Sequence, residues 1–90
     1  CTSLEHEILY GSLAGVSSYA LDGSVCNLGS AGTTRWSGVP SGDLWFLVVG
    51  SDGAGTEGSW GTGAGGAPRK GGDASGQCGN VMRSNAGTCP

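Results

Sequence analysis

The sequence predicts an all-β domain followed by a glycine-rich, disulfide-tied C-terminal tail. Three observations predict it: an alternating segment at 5–10, a wholly apolar segment at 44–49, and 20 glycines with four cysteines among 90 residues. Glycine is unfavourable inside helices and strands, so much of this chain must form turns and irregular backbone. A chain of this length is expected to form one domain.

The first predicted strand covers residues 5–10, where side chains alternate with a period of two. We expect Gly11 to end it. Leu13, Val16 and Tyr19 recur at every third position, which favours a short helical turn, and residues 33–37 are typical of a short strand. The alternation assigns the first strand's side chains to two faces: His6, Ile8 and Tyr10 on one, and Glu5, Glu7 and Leu9 on the other.

The second predicted strand, at 44–49, is apolar on both faces. Such a strand is expected at the centre of a sheet with something packed on each side. Residues 40–43 precede it as a turn, and residues 56–62 around Trp60 are predicted to return as a hairpin strand.

Composition excludes two classes of function. The formal net charge is -3 and only 12% of residues are charged, whereas a nucleic-acid binder needs clustered Lys or Arg. No apolar run approaches the roughly 20 residues of a membrane-spanning helix, so we expect no transmembrane segment. Only 15 of the 90 residues are Leu, Ile, Val or Phe, which is little apolar material for an isolated core.

Four cysteines in a weakly charged chain without a Cys-x-x-Cys motif indicate structural disulfides and an oxidising compartment. The predicted location is therefore secreted or extracellular, or on the cell surface. Three pairings are open. We expect Cys78–Cys89, which closes a short loop worth about 3 kcal/mol, and Cys1–Cys26. An N-terminal cysteine is also compatible with lipidation of Cys1.

Several strings resemble the later strands of bacterial secreted fibronectin type III-like domains. They are HEILYGSL at 6–13, VPSGDLWFLVVG at 39–50, EGSWG at 57–61 and the terminal Cys89-Pro90, so the resemblance covers roughly residues 5–67. It implies a partial immunoglobulin/fibronectin type III-like β-sandwich with Greek-key connections. The domain is accordingly expected at 1–67, incomplete, with a tail at 68–90 that contains Cys78 and Cys89.

Two strands that open such domains have no counterpart before Cys1. A sandwich without them exposes unpaired edges and an uncovered apolar face. Either a removed segment carried those strands, or another chain supplies them by strand addition.

The three tryptophans, Trp36, Trp45 and Trp60, are the candidate interface residues. Aromatic side chains in a row on a sheet can anchor a protein interface or stack on sugar rings. The alternative is that they form the small core.

Other motifs are weaker. Residues 53–58 spell G-x-G-x-x-G, but a dinucleotide site also needs a following helix, so a hairpin turn is expected. The pair Glu5 and Glu7 is interpreted as a solvated strand face, and His6 as an ordinary strand residue. We expect no catalytic, cofactor-binding or metal-binding residues, and no enzymatic activity. Four acidic residues that could contact Ca²⁺ are interpreted as members of solvated turns: Asp22, Asp52, Glu57 and Asp73.

The sequence favours a structural function, as a self-assembling subunit of an extracellular filament or surface appendage whose partners are copies of itself. The motivating features are the missing strands, the glycine-rich tail and the scarce apolar material. The alternative is a C-terminal binding or adhesion module of a larger secreted protein, with a glycan or protein ligand.

Overall fold

The computed structural model describes residues 5–85, which form five strands and one short helix. The strands lie in one sheet in the order β2-β1-β3-β4-β5. Only the β4–β5 pair is parallel, so the sheet is mixed. The predicted β-rich class is confirmed, and the described residues form a single sheet. The elements are β1 (Glu5–Ser12), a 3-10 helix (Leu13–Ser18), β2 (Gly23–Val25), β3 (Leu44–Ser51), β4 (Thr56–Glu57) and β5 (Met82–Arg83).

The centre of the sheet is the antiparallel pair β1–β3, in register from Glu5 opposite Ser51 to Ser12 opposite Leu44. This register confirms the two predicted faces of β1. The strand does not end at Gly11 but continues to Ser12. Glycine is required there by a close approach, because a Cβ on Gly11 would clash with the carbonyl oxygen of Ala20.

The hydrophobic core lies on one face of the sheet. Tyr19 packs edge-on against both Trp45 and Trp60, with ring centroids 6.0 and 5.9 Å away. Tyr19 directly follows the 3-10 helix, which confirms the predicted helical turn. Its φ of 55° turns the chain back toward the sheet. The buried core residues on this face are Leu9, Trp45, Val49 and Trp60, with Tyr19, Leu21 and Leu47 partly buried against them.

The opposite face corrects one expectation about β3. The strand is central, as predicted, but its second face is largely open, and Phe46 and Val48 are each 59% exposed. Residues 33–37, predicted as a strand, instead lie in irregular backbone. The reason is that Trp36 lies over the sheet, with its ring 5.2 Å from that of Tyr10, instead of pairing beside a strand.

The predicted hairpin strand at 56–62 is shorter than expected. Only Thr56–Glu57 forms a strand, and it pairs with the end of β3. Beyond it, the glycine-rich chain leaves the ladder and Trp60 enters the core. Residues 68–85, assigned to a tail, fold back over the sheet and contribute β5, which pairs with β4.

Within the described residues, a disulfide joins Cys26 to Cys78, with the two Cα atoms 5.6 Å apart. The expected pairs Cys78–Cys89 and Cys1–Cys26 are therefore wrong. The physical reason is that the folded-back segment brings residue 78 beside the end of β2, which neither expected pair anticipates. Cys1 and Cys89 themselves lie outside the described residues. Across 5–85, no helix has the length and apolar character needed to cross a bilayer.

Candidate functional site

The first candidate site is the open side of the sheet, called here the apolar face and formed by Tyr10, Trp36, Phe46 and Val48. Tyr10 lies opposite Phe46 in the β1–β3 ladder, so their side chains share this side. The centroid of the Trp36 ring lies 6.2 Å from that of Phe46 on β3, and the same ring packs on Tyr10 of β1, so Trp36 contacts both strands. Phe46 and Val48 are exposed, and Tyr10 and Trp36 are half-buried beside them. A contiguous apolar patch of this kind typically marks an interaction surface.

A cavity of about 300 Å³ adjoins the apolar face and shares Val48 with it. His6 helps to form it, because its Nδ1 donates a hydrogen bond to the carbonyl oxygen of Gly29 at 2.8 Å. This bond fixes the loop after β2 against β1. The cavity thus combines apolar side chains with hydroxyl groups, and its lining residues are His6, Leu28, Gly29, Gly32, Thr33, Thr34 and Val48.

A second exposed apolar surface lies at β5, the last strand of the sheet. Val81 is 78% exposed and Met82 63% exposed. The inner side of this strand pairs with β4, and its outer side has no partner strand among residues 5–85. Unpaired strand edges are templates for pairing with another chain.

The second candidate site is a set of buried hydrogen-bonding side chains on the core side of the sheet. We call this the buried polar cluster. It connects β1, β3, β4, the segment 75–80 and β5, and therefore joins the two ends of the described chain. Its members are Glu7, Ser51, Glu57, Ser75, Asn80 and Arg83.

Glu57 is the centre of the buried polar cluster and is 1% exposed. Its Oε1 accepts hydrogen bonds from the Ser75 backbone N–H at 2.7 Å and from Trp60 Nε1 at 3.1 Å. Its Oε2 accepts from the Ser75 hydroxyl at 2.6 Å. Arg83 supplies the opposite charge, with Nε 3.5 Å from Glu57 Oε1. The interpretation of Glu57 as part of a solvated turn is therefore wrong.

The Arg83 guanidinium contacts Glu57, the Trp60 ring and two backbone carbonyl groups. It lies 4.2 Å from the centroid of the Trp60 ring, a favourable cation–π distance. Its Nη1 donates to the carbonyl oxygens of Arg69 and Gly71 at 2.8 and 3.1 Å. The side chain consequently fixes segment 69–71 against the core.

Glu7 is the second carboxyl group of the buried polar cluster and is 2% exposed. The Nδ2 of Asn80 donates to its two oxygens at 2.7 and 2.8 Å. Burial, together with the nearby Glu57 carboxylate, raises the pKa of Glu7 to about 7, and the Asn80 amide only partly offsets this. The solvated-face interpretation of Glu7 is therefore wrong.

The predicted site residues separate in space. Trp45 and Trp60 lie in the core, the alternative that the sequence left open, whereas Trp36 lies on the apolar face. An interface role for Trp36 stays a prediction. The G-x-G-x-x-G segment forms the turn before β4, at 53–55, and β4 itself. Asp52 closes this turn by accepting hydrogen bonds from the N–H groups of Ala54 and Thr56.

The two carboxyl groups of the buried polar cluster are inaccessible to solvent, so the cluster is better suited to stabilising the fold than to reacting with a substrate. In the described part of the chain, no three His, Cys, Asp or Glu side chains converge to hold a metal ion. Sequence reasoning missed this cluster. The only signal was that Glu7 shares its strand face with the core residue Leu9.

Comparison with known proteins identifies no relative. No protein-family model matches the sequence, and no match was found among curated proteins or among solved structures. The fibronectin type III-like resemblance therefore rests on the quoted strings alone.

Proposed function

We propose that this domain is a structural, self-assembling subunit of an extracellular filament or surface appendage. The observation that carries the proposal is the apolar face: a central strand whose Phe46 and Val48 side chains are more than half exposed. Exposed apolar surface of this kind is stabilised when a partner covers it. A second copy of the chain is the proposed partner.

Two different apolar surfaces on one chain favour a polymer over a closed dimer. The apolar face is one, and the exposed edge around Val81 and Met82 is the other. When unlike surfaces of identical subunits meet, the contact is head-to-tail and can repeat without closing. Such a contact would cover the open side of β3 and pair with the outer edge of β5, which has no partner strand among residues 5–85.

The disulfide supports the proposed extracellular location. Cys26 and Cys78 are both exposed residues, and a bond accessible to reductants persists best in an oxidising environment. We propose no catalytic role for the two buried carboxyl groups, because a substrate cannot reach them.

The alternative is a binding or adhesion module, and the cavity beside Val48 favours it. Its threonine hydroxyls and His6, with Trp36 and Tyr10 nearby, could hold a sugar by hydrogen bonding and stacking. In that case the apolar face would be a ligand platform, and the isolated domain would remain monomeric.

The test is a double variant, Phe46→Ser with Val48→Thr. We expect self-association to weaken at least about tenfold, because covering these side chains contributes at least about 1.5 kcal/mol. Stability of the subunit should change little, since exposed substitutions usually cost less than about 0.5 kcal/mol. Sedimentation velocity measures association, and thermal unfolding measures stability.

The matched control is Leu13→Ser with Val16→Thr, which removes exposed apolar side chains from the 3-10 helix instead. It should assemble as the wild type does. Equal loss of association in both double variants would contradict a specific role of the apolar face. A monomeric wild type that binds oligosaccharides would favour the alternative.

A further inference from the structure

The buried polar cluster contains more acidic than basic groups. Glu7 and Glu57 are both nearly inaccessible to solvent, and the cluster holds a single cation, Arg83. The two carboxyl groups are close enough to interact electrostatically and by a side-chain hydrogen bond. Two such buried carboxylates cannot both ionise without a large electrostatic cost. One proton on the carboxyl pair removes this excess negative charge.

Among residues 5–85, the elements around Glu7 supply no further compensating charge. On β1, Glu5 lies on the same face and adds negative potential. The β3 strand presents neutral Val49 and Ser51, and the segment 75–80 presents the neutral Ser75 and Asn80. Lys70 lies beside Trp60, with its Nζ 5.7 Å from the centroid of the Trp60 ring.

One segment seals the carboxyl pair. Asn80 caps Glu7, Ser75 caps Glu57, and Arg83 pairs with Glu57, so residues 75–83 close the cluster from outside. The amides of Val81 and Met82 in this segment donate to the carbonyl oxygen of Gly55, which attaches the exposed edge of the sheet.

We propose that the buried polar cluster is a proton-controlled latch, in which a proton on Glu7 keeps segment 75–83 closed and its loss loosens that segment together with β5. When Glu7 ionises, the cluster carries a second negative charge that water must solvate. Water enters when segment 75–83, which closes the cluster, moves away from it.

The sign of the pH dependence follows from the two protonation states. Folding raises the pKa of Glu7 from 4.5 to about 7, so the folded chain holds this proton over a range in which the unfolded chain has lost it. The stabilisation is fully present below pH 4.5, falls as the pH rises toward 7, and levels off above that. The latch is therefore closed in mild acid and loosened in mild alkali.

The test compares Glu7→Gln with the wild type, because glutamine keeps the shape of the protonated acid and cannot ionise. Between pH 5 and pH 8 the wild-type unfolding constant should rise on the order of 70-fold more than that of the variant. At pH 8 the variant should be the more stable protein. Chemical denaturation at the two pH values gives both constants.

The matched control is Glu5→Gln, which removes a carboxyl from the same strand and the same face. It should retain most of the wild-type pH dependence. The latch would be refuted if Glu7→Gln kept the same pH dependence as the wild type, or if Glu5→Gln abolished it equally.

Two measurements on the unmodified protein keep the proposal testable if the variant fails to fold. The side-chain carboxyl carbon of Glu7, followed by NMR, should titrate with a midpoint near 7. Hydrogen exchange, corrected for intrinsic rates, should show protection at Val81 and Met82 falling with pH faster than at Leu9 and Leu47. A Glu7 midpoint in the ordinary range for glutamate, or uniform loss of protection, would overturn the latch.

Discussion

Replacing Glu57 with Gln is expected to destabilise the domain by about 3–5 kcal/mol, because it leaves the charge of Arg83 buried without its partner. The substitution also places an amide where two hydrogen-bond donors of Ser75 now meet carboxylate oxygens. For a domain whose total stability is on the order of 5–15 kcal/mol, this is a large fraction. Equilibrium urea unfolding measures the loss.

A double-mutant cycle identifies the cause of this loss. Adding Arg83→Gln to Glu57→Gln removes the unpaired charge, so the two substitutions together should cost clearly less than the sum of their separate effects. Asp52→Asn is the matched control, since it neutralises an exposed carboxylate that only closes a turn. Simple additivity in the cycle would show that the ion pair does not explain the effect.

Removing the Cys26–Cys78 disulfide is the second large effect. The bond closes a loop with a sequence separation of 52, and in the chain-entropy model its loss costs about 4 kcal/mol. The double variant Cys26→Ser with Cys78→Ser is expected to unfold at a correspondingly lower urea concentration. Without the disulfide, residue 78 is no longer covalently attached to the end of β2. Segment 75–83, which closes the buried polar cluster, then loses a covalent link to the sheet.

The control for the disulfide removes a non-covalent link between the same two segments. Ser24 donates a hydrogen bond to the side chain of Gln77 at 3.0 Å, so Ser24→Ala should cost only about 1 kcal/mol. Peptide mapping without reductant should recover Cys26 and Cys78 in one linked fragment. Finding each of them linked to a different cysteine would contradict the topology described here.

The sequence predicts the centre of the fold well, because two local patterns determine it. The alternation at 5–10 specifies the faces of β1, and the apolar run at 44–49 specifies the central β3. The disulfide pairing was predicted wrongly, since it depends on how a glycine-rich segment folds back across the sheet. No local pattern in residues 63–79 encodes that path.

The candidate sites were predictable only in part. Glu7 and Glu5 look alike in an alternating strand, and only the position of Asn80, far along the chain, separates a buried acid from a less buried one. Similarly, the three tryptophans cannot be ranked without knowing which side of β3 is covered. Trp36 remains accessible because it packs on the uncovered side.

The most direct test of the central claim is negative-stain electron microscopy of the purified protein at neutral pH, compared with the Phe46→Ser/Val48→Thr variant. Self-assembly through the apolar face predicts regular polymers of the wild type and dispersed small particles of the variant. Uniform small particles in both samples, at concentrations where the protein is fully folded, would contradict the account of this domain as a filament subunit.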